Sequence, residues 1–380
     1  MHKSQPLVLA LAAAAAALGW QWLTVHANYG GNWSALYCTG ALRGVPAPLA
    51  AEHIWQFPAS NGYDGQMYHY VAHDPWMRDP LLAASIDSPR LRYARILVPG
   101  LAFLLAAGRS NWIDPAYRAV ILLFIAAGVY WSAAYCQSIG HAPLWGLLFM
   151  LLPATLVSID RMTVDVALAA LAAGFAFHVR APSWRLPVIL GAAALVRETG
   201  CLLLIAYGGY LLLGRCFKRA AWYALAAAPA LAWYAYVYAR TSPVYLEANL
   251  VPLSAILRAI LDPLVYPHGT SFVWLARTAD WLALGGMLMA FALVIARSTG
   301  RARDPLWIAA ACFAAVGLIL QQPEQWLNVY DFGRIYSPVL LFLGLDSLQR
   351  GSWIAMAPWM LMLPRIGLQF GNQMVGIWRG

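Results

Sequence analysis

Long apolar runs broken by short polar joints make up most of this chain, and run length decides most of the reading. A helix needs roughly 20 residues to cross a hydrocarbon core of about 30 Å. Runs at about 7–24, 117–136, 141–157, 163–178, 221–239, 279–297, 305–321, 335–348 and 353–368 reach or approach that length. Residues 186–214 are too many for one helix and few for two, with Arg197, Glu198 and Gly200 in the middle. Two short helices meeting at a junction that lines a cavity are predicted there, because irregular polar backbone at membrane depth is tolerated only beside protein or water. With about 11 crossings, the pattern predicts an all-α, polytopic transmembrane bundle forming one membrane-embedded domain over residues 1–380.

The apolar run 96–108 is too short to cross and reads as an interfacial or re-entrant helix. Charge supports that choice. With 96–108 not crossing, the basic residues between His178 and Arg185, then Arg215, Lys218 and Arg219, then Arg297, Arg301 and Arg303, then Arg350, all fall on one side, as the positive-inside bias requires. The first run continues through Trp20, Trp22 and Leu23, so it reads as an uncleaved signal anchor with a cytoplasmic amino terminus. A structured first external loop with interfacial helices is expected over 25–108, a second loop at 240–278 with Glu247, Arg258, Asp262, His268 and Arg277, and a third at 322–334.

Composition agrees with a membrane protein: 62% of residues are hydrophobic and 11% charged, where soluble domains carry about 25% charged residues. The net charge of +9 falls in short clusters between apolar runs, which speaks for bilayer orientation and against nucleic acid. Only Lys3 and Lys218 are lysines among the 25 basic residues. Guanidinium groups suit phosphate ligands, although a GC-rich genome produces the same bias. The five cysteines show no CxxC spacing, which indicates no zinc site or disulfide framework and leaves a Cys38–Cys201 bridge open.

Candidate chemistry concentrates in 61–100, which holds four aspartates, four arginines and two histidines. Gly62 and Gly65 flank Tyr63 and Asp64, allowing a sharp turn with a carboxylate at its tip. With the outward topology, Asp64, Asp87, Arg92, Arg95, Asp160, Arg161, Asp165, Arg197, Glu198, Asp331 and Arg334 all approach the outer helix ends. Ionisable groups there serve function or pairing. Arg161 and Asp165 are spaced to pair if their turn is helical, whereas Arg197 and Glu198 must find separate partners. Tyr63, Tyr68, Tyr70, Trp76 and Tyr93 suggest an aromatic belt or a stacking surface for sugar or polyprenyl. His69 and His73 are four apart, yet no third ligand stands at a recognisable spacing, so neither a metal nor another cofactor is expected.

The run Tyr63-Asp64-Gly65-Gln66-Met67-Tyr68 with Ala72 and Pro75, followed by Arg92, Arg95-Ile96-Leu97 and Pro99, resembles the YDGQxYxxxAxxP and RxxRILxP patterns of bacterial polytopic proteins in the GT-C superfamily of membrane glycosyltransferases. Asp160 and Asp165 at the next external turn, and Leu195, Arg197, Glu198 and Gly200 at the short-helix junction, are similar in layout, and the resemblance covers most of residues 1–215. It implies sugar transfer from a polyprenyl-phosphate donor to a glycan or lipid acceptor, on the outer face of a bacterial inner membrane, with Asp64 as base. No DxD or ExD pair is present, so a metal-assisted mechanism is not expected.

On this reading Asp64 takes the acceptor proton, its pKa raised by desolvation. Arg197, Arg334, Arg92 and Arg95 would hold the departing phosphate, and Tyr63, Gln66, Tyr68, Asp165 and Glu198 would contact substrate. A flippase or transporter of lipid-linked sugars, a non-catalytic scaffold of an envelope polymer machine, and a lipid transferase of another chemistry are the rival readings. Repeated halves with matching helix breaks, which would favour a transporter, are not visible.

Overall fold

The computed structural model describes residues 4–243, 250–266, 269–298, 300–301 and 304–379, without the side chains of Thr270 and Ser271. His2, Lys3, Glu247, His268 and Arg303 therefore lie outside the described residues. From the N terminus, α1 (Gln5–Tyr29) is followed by the first-loop helices α2 (Asp64–His73), α3 (Pro80–Ala84), α4 (Pro89–Ala94) and α5 (Leu97–Leu105). Next come α6 (Ile113–Ser138), α7 (Pro153–Arg161), α8 (Asp165–His178), α9 (Arg185–Val196) and α10 (Cys201–Leu213). The rest comprises α11 (Phe217–Ala224), α12 (Ala228–Arg240), α13 (Ser254–Leu261), α14 (Thr270–Ser298), α15 (Pro305–Ile319), α16 (Pro323–Leu327), α17 (Val329–Ile335), α18 (Ser337–Arg350), α19 (Ala357–Leu368) and α20 (Gly371–Arg379). Among the described residues no β-strand forms; a single bridge joins Gly40 to Phe57.

Three of these helices are long and apolar enough to cross a membrane: α1, α6 with its lead-in from Ser110, and α14 over Phe272–Ser298. A fourth crossing arises if the 3₁₀ helix Pro143–Leu151 and α7 count as one span. Helices α8, α9, α10, α15 and the segment Trp353–Leu368 are apolar but shorter. The nine-residue α5 is likewise too short to cross.

Several predicted segments are interrupted, for local reasons. The run 141–157 is not one straight helix, because Leu152 precedes Pro153 and adopts an extended conformation with ψ 138°. Its two halves meet at 59°. The run 221–239 is divided by a 3₁₀ step at Leu225–Ala227, and α12 restarts with a proline in its first turn. The predicted second loop is shorter than 240–278, since α14 begins at Thr270, and the third loop is helical over α16 and α17. The break inside 186–214 is where the polar pair stands: Arg197 is extended, φ −155° and ψ 155°, between α9 and a 3₁₀ turn at Glu198–Gly200.

Small residues let the helices approach. Pro6, Ala10, Ala13, Ala17, Gln21 and Thr24 form the buried stripe of α1, at helical spacing. The main apolar core runs continuously from α1 through α6, α8 and α18 to α19. A smaller core under the first loop gathers Leu49, Ile54, Met67, Tyr70, Val71, Leu82, Ile86 and Tyr93 with Val237 of α12. Helix α2 contributes to both, with Tyr68 and Ala72 in the first and Met67, Tyr70 and Val71 in the second. Cys38 and Cys201 are free thiols.

Polar groups collect at both ends of α18. Asp346, near its C-terminal end, accepts from Arg297, Arg301 and Arg350, at 3.2, 2.8 and 2.9 Å. Arg334 stands just before its N-terminal end, about 20 Å away at a rise of 1.5 Å per residue.

Candidate functional site

The turn before α2 places Asp64. Gly62 has φ +82°, a conformation that favours glycine, and a Cβ on Gly65 would collide with the carbonyl oxygen of Arg161. Helix α2 can therefore press against the end of α7 and hold Asp64 in its first turn, where the helix dipole favours a carboxylate.

Around Asp64 a chain of ion pairs joins five separate parts of the sequence. Asp64 Oδ1 lies 2.8 Å from Arg92 Nη2, and Asp64 Oδ2 accepts from Arg334 Nη2. Arg92 is held from behind by Asp87, through Nε at 2.8 Å and Nη2 at 2.9 Å. Arg334 also donates to Asp331 at 2.8 Å and to Asp165 at 3.0 Å, and Asp165 accepts in turn from Arg197. Beside this chain Arg95 grips Glu198 with Nε and Nη2, at 3.2 and 3.0 Å, and donates to the Tyr68 hydroxyl at 3.0 Å. Arg197 and Glu198 thus find separate partners, as their adjacency requires. Arg161 does not pair with Asp165. The chain turns at Met162, φ +48°, before α8 begins, and the Arg161 guanidinium lies over the rings of Tyr63 and Tyr330, at 4.6 and 4.8 Å.

These groups border a cavity of about 690 Å³. Asp64, Asp331, Arg92, Arg95, Arg197 and Arg334 line it, as do Arg258, Glu324, Gln322 and Gln325. The sequence does not single out Glu324, Gln322 or Gln325, and Asp331 stands there only among the charges near the outer helix ends, its spacing of three from Arg334 along a helix hinting at a pair. Tyr63, Gln66, Tyr68, Asp165 and Glu198, expected to contact substrate, are not in the wall. The Tyr63 hydroxyl donates to Asp331 at 2.9 Å, and Asp165 lies behind Arg334 and Arg197. Gln66 is wholly buried, accepting from the Gly40 N–H at 3.2 Å and donating to the Tyr70 hydroxyl at 3.0 Å. The expected aromatic surface is mostly interior, for Tyr68, Tyr70 and Tyr93 are fully enclosed while Trp76 is exposed and packs edge-on against Trp233.

Electrostatics correct one expectation directly. Burial alone would raise the pKa of Asp64, but the Arg334 and Arg92 guanidiniums outweigh it and hold the carboxyl well below the usual carboxylate range. Burial does raise Asp331, against the pull of Arg334 and with the help of Asp64. One guanidinium therefore serves two cavity carboxylates of opposite tendency. The Nε groups of Arg197 and Arg334 are buried without a hydrogen-bond partner. That leaves donor capacity on two arginines of the cavity wall.

On the other side of α2, His69 and His73 meet residues that their spacing could not announce. Glu52 brings a ligand atom to within 4.8 Å of both imidazoles, and Asp114 lies 2.7 Å from His69 Nε2. Comparison with known proteins finds no relative: no family model, no curated protein and no solved structure matches the chain.

Proposed function

We propose that this chain is a GT-C-type membrane glycosyltransferase, built as a bundle of about 11 short and long crossings, and that the Asp64 cavity is its active site. The observation that carries this reading is the placement of Asp64 between Arg92 and Arg334 in the wall of a cavity of about 690 Å³, with Arg95 and Arg197 alongside. Fixed guanidiniums bind phosphate bidentately and stabilise it as a leaving group without a proton. A polyprenyl-phosphate sugar would place its phosphate on them, with the acceptor, a glycan or lipid hydroxyl, across the cavity on the outer side of the membrane.

The chemistry is one displacement. The acceptor oxygen bonds to the anomeric carbon, the bond from that carbon to the phosphate oxygen breaks, and its electron pair leaves on polyprenyl phosphate. The acceptor proton passes to Asp64. Paired with two arginines, Asp64 is a weak base; a phosphate that draws Arg334 and Arg92 towards itself removes the charge that depresses it. Asp331, raised by burial, is the alternative acceptor of that proton.

Purified protein in lipid nanodiscs, given a panel of polyprenyl-phosphate sugars, tests the reading through release of polyprenyl phosphate. Acceptor-dependent release that collapses in Asp64→Asn supports it. Release unaffected by Asp64→Asn but lost in Asp331→Asn moves the base to Asp331. Saturable donor binding without release by any pair of donor and acceptor defeats the transferase reading in favour of transport.

A further inference from the structure

We propose that Glu52, His69 and His73, with Asp114 beside them, form a divalent-cation site of zinc type on the face of α2 turned away from Asp64. The site is separate from the transfer chemistry and does not depend on that reading.

Three donor atoms converge there, from Glu52, His69 and His73, all within 4.8 Å of one another, and a carboxylate oxygen of Asp114 stands against one of them. The Nε2 atoms of His69 and His73 are 3.1 Å apart, Glu52 Oε2 is 3.5 Å from His73 Nε2, and Asp114 Oδ1 is 2.7 Å from His69 Nε2. Ligands bonded to one tetrahedral zinc at 2.0–2.1 Å stand about 3.3 Å from each other. The His69–His73 and Glu52–His73 separations bracket that value. The two imidazoles hydrogen-bond to each other through their Nε2 atoms and Asp114 lies against the same His69 nitrogen; a bound ion would take the place of the proton between the rings.

At His73 the surrounding contacts set the tautomer that a metal needs. Ser110 has one hydroxyl proton and donates it to Glu52 Oε1, so at 2.8 Å it accepts from His73 Nδ1–H. The His73 Nε2 lone pair is thereby aimed at the convergence point, and the same serine orients the glutamate. A hydrogen bond to the outer nitrogen of a histidine is the usual support of a metal ligand. Tyr37 stacks on the His69 ring at 3.9 Å and fixes its plane. His69 and His73 are nearly wholly enclosed, while Glu52 and Asp114 remain about a quarter exposed, which leaves an entry path from solvent.

Two imidazoles and a carboxylate, with a second carboxylate alongside, suit zinc better than magnesium or calcium, which prefer an all-oxygen shell. The ligands come from the first loop and from α2, with Asp114 in the first turn of α6 beside them. A bound ion would pin the first loop to α2, the helix that begins with Asp64.

The test uses the full chain in lipid nanodiscs, stripped by chelator and dialysed against Zn²⁺, with metal counted per chain by elemental analysis. Saturation at one zinc per chain is expected, with the visible absorption of a tetrahedral site when Co²⁺ replaces it. His73→Ala should abolish this uptake. Ser110→Ala keeps all three ligands and should weaken affinity about 10- to 100-fold. No saturable uptake by the wild type overturns the proposal. So does uptake that Ser110→Ala leaves unchanged, a result that decides the matter even if His73→Ala does not fold.

Discussion

On one face of α2, Asp64 and Tyr68 meet the guanidiniums of Arg92, Arg334 and Arg95; about 140° round the helix, His69 and His73 meet the carboxylates of Glu52 and Asp114. Both faces combine acidic with nitrogen-bearing side chains, yet they differ in kind. A guanidinium has only protons to offer and keeps its charge when buried, so the Asp64 face is equipped to hold an anion. An imidazole has a lone pair, so the histidine face is equipped to hold a cation. One helix of ten residues therefore presents two opposite kinds of side-chain cluster by its periodicity.

The largest effect that would sharpen this contrast is catalytic. Asp64→Asn removes the proposed base and should lower acceptor-dependent release of polyprenyl phosphate by about 10²- to 10⁴-fold. A loss confined to Asp331→Asn would keep the anion-binding face but transfer its proton chemistry to α17.

Next in size is the counter-ion behind the cavity. Asp165→Ala leaves Arg197 and Arg334 without their buried carboxylate and should destabilise the fold by about 3–5 kcal/mol, read from denaturant unfolding. A cost near zero would show that Asp165 is not what neutralises that face.

A smaller loss is expected where α2 joins its turn. Gln66→Ala strips the buried Gly40 N–H of its acceptor and should cost about 1–3 kcal/mol in the same measurement.

The smallest effect is on acid stability. Because the Asp64 pKa is depressed in the folded chain, its ion pairs contribute fully above the unfolded carboxyl value of about 3.9. That contribution is lost as pH falls through the folded value. Thermal midpoints of Asp64→Asn should therefore fall less steeply than those of the wild type below about pH 4. Parallel curves would mean that Arg92 and Arg334 do not hold the carboxylate as the geometry shows.

Much of the local structure was legible in the sequence because its causes are local. The break at Arg197, the short helix after Arg95 and the turn at Gly62 follow from run length, polarity and glycine. The bend at Pro153 was equally local; the residue before a proline resists helix, and this signal lay unused in the sequence. The membrane-like character was legible too, although the described helices long enough to cross number three or four rather than about 11.

By itself, then, the sequence determined an all-helical, apolar chain whose unusual polarity sits on α2 and on the breaks around it. Which charge meets which was decided only by tertiary structure. Arg334 lies 270 residues from Asp64, and Asp114 lies far along the chain from Glu52, so no spacing rule connects them. The ionisation of Asp64 shows the physical reason most clearly. Burial, which an apolar sequence announces, would raise its pKa, whereas two guanidiniums delivered by α4 and α17 lower it. Coulomb energy depends on separation in space, and packing alone sets that separation.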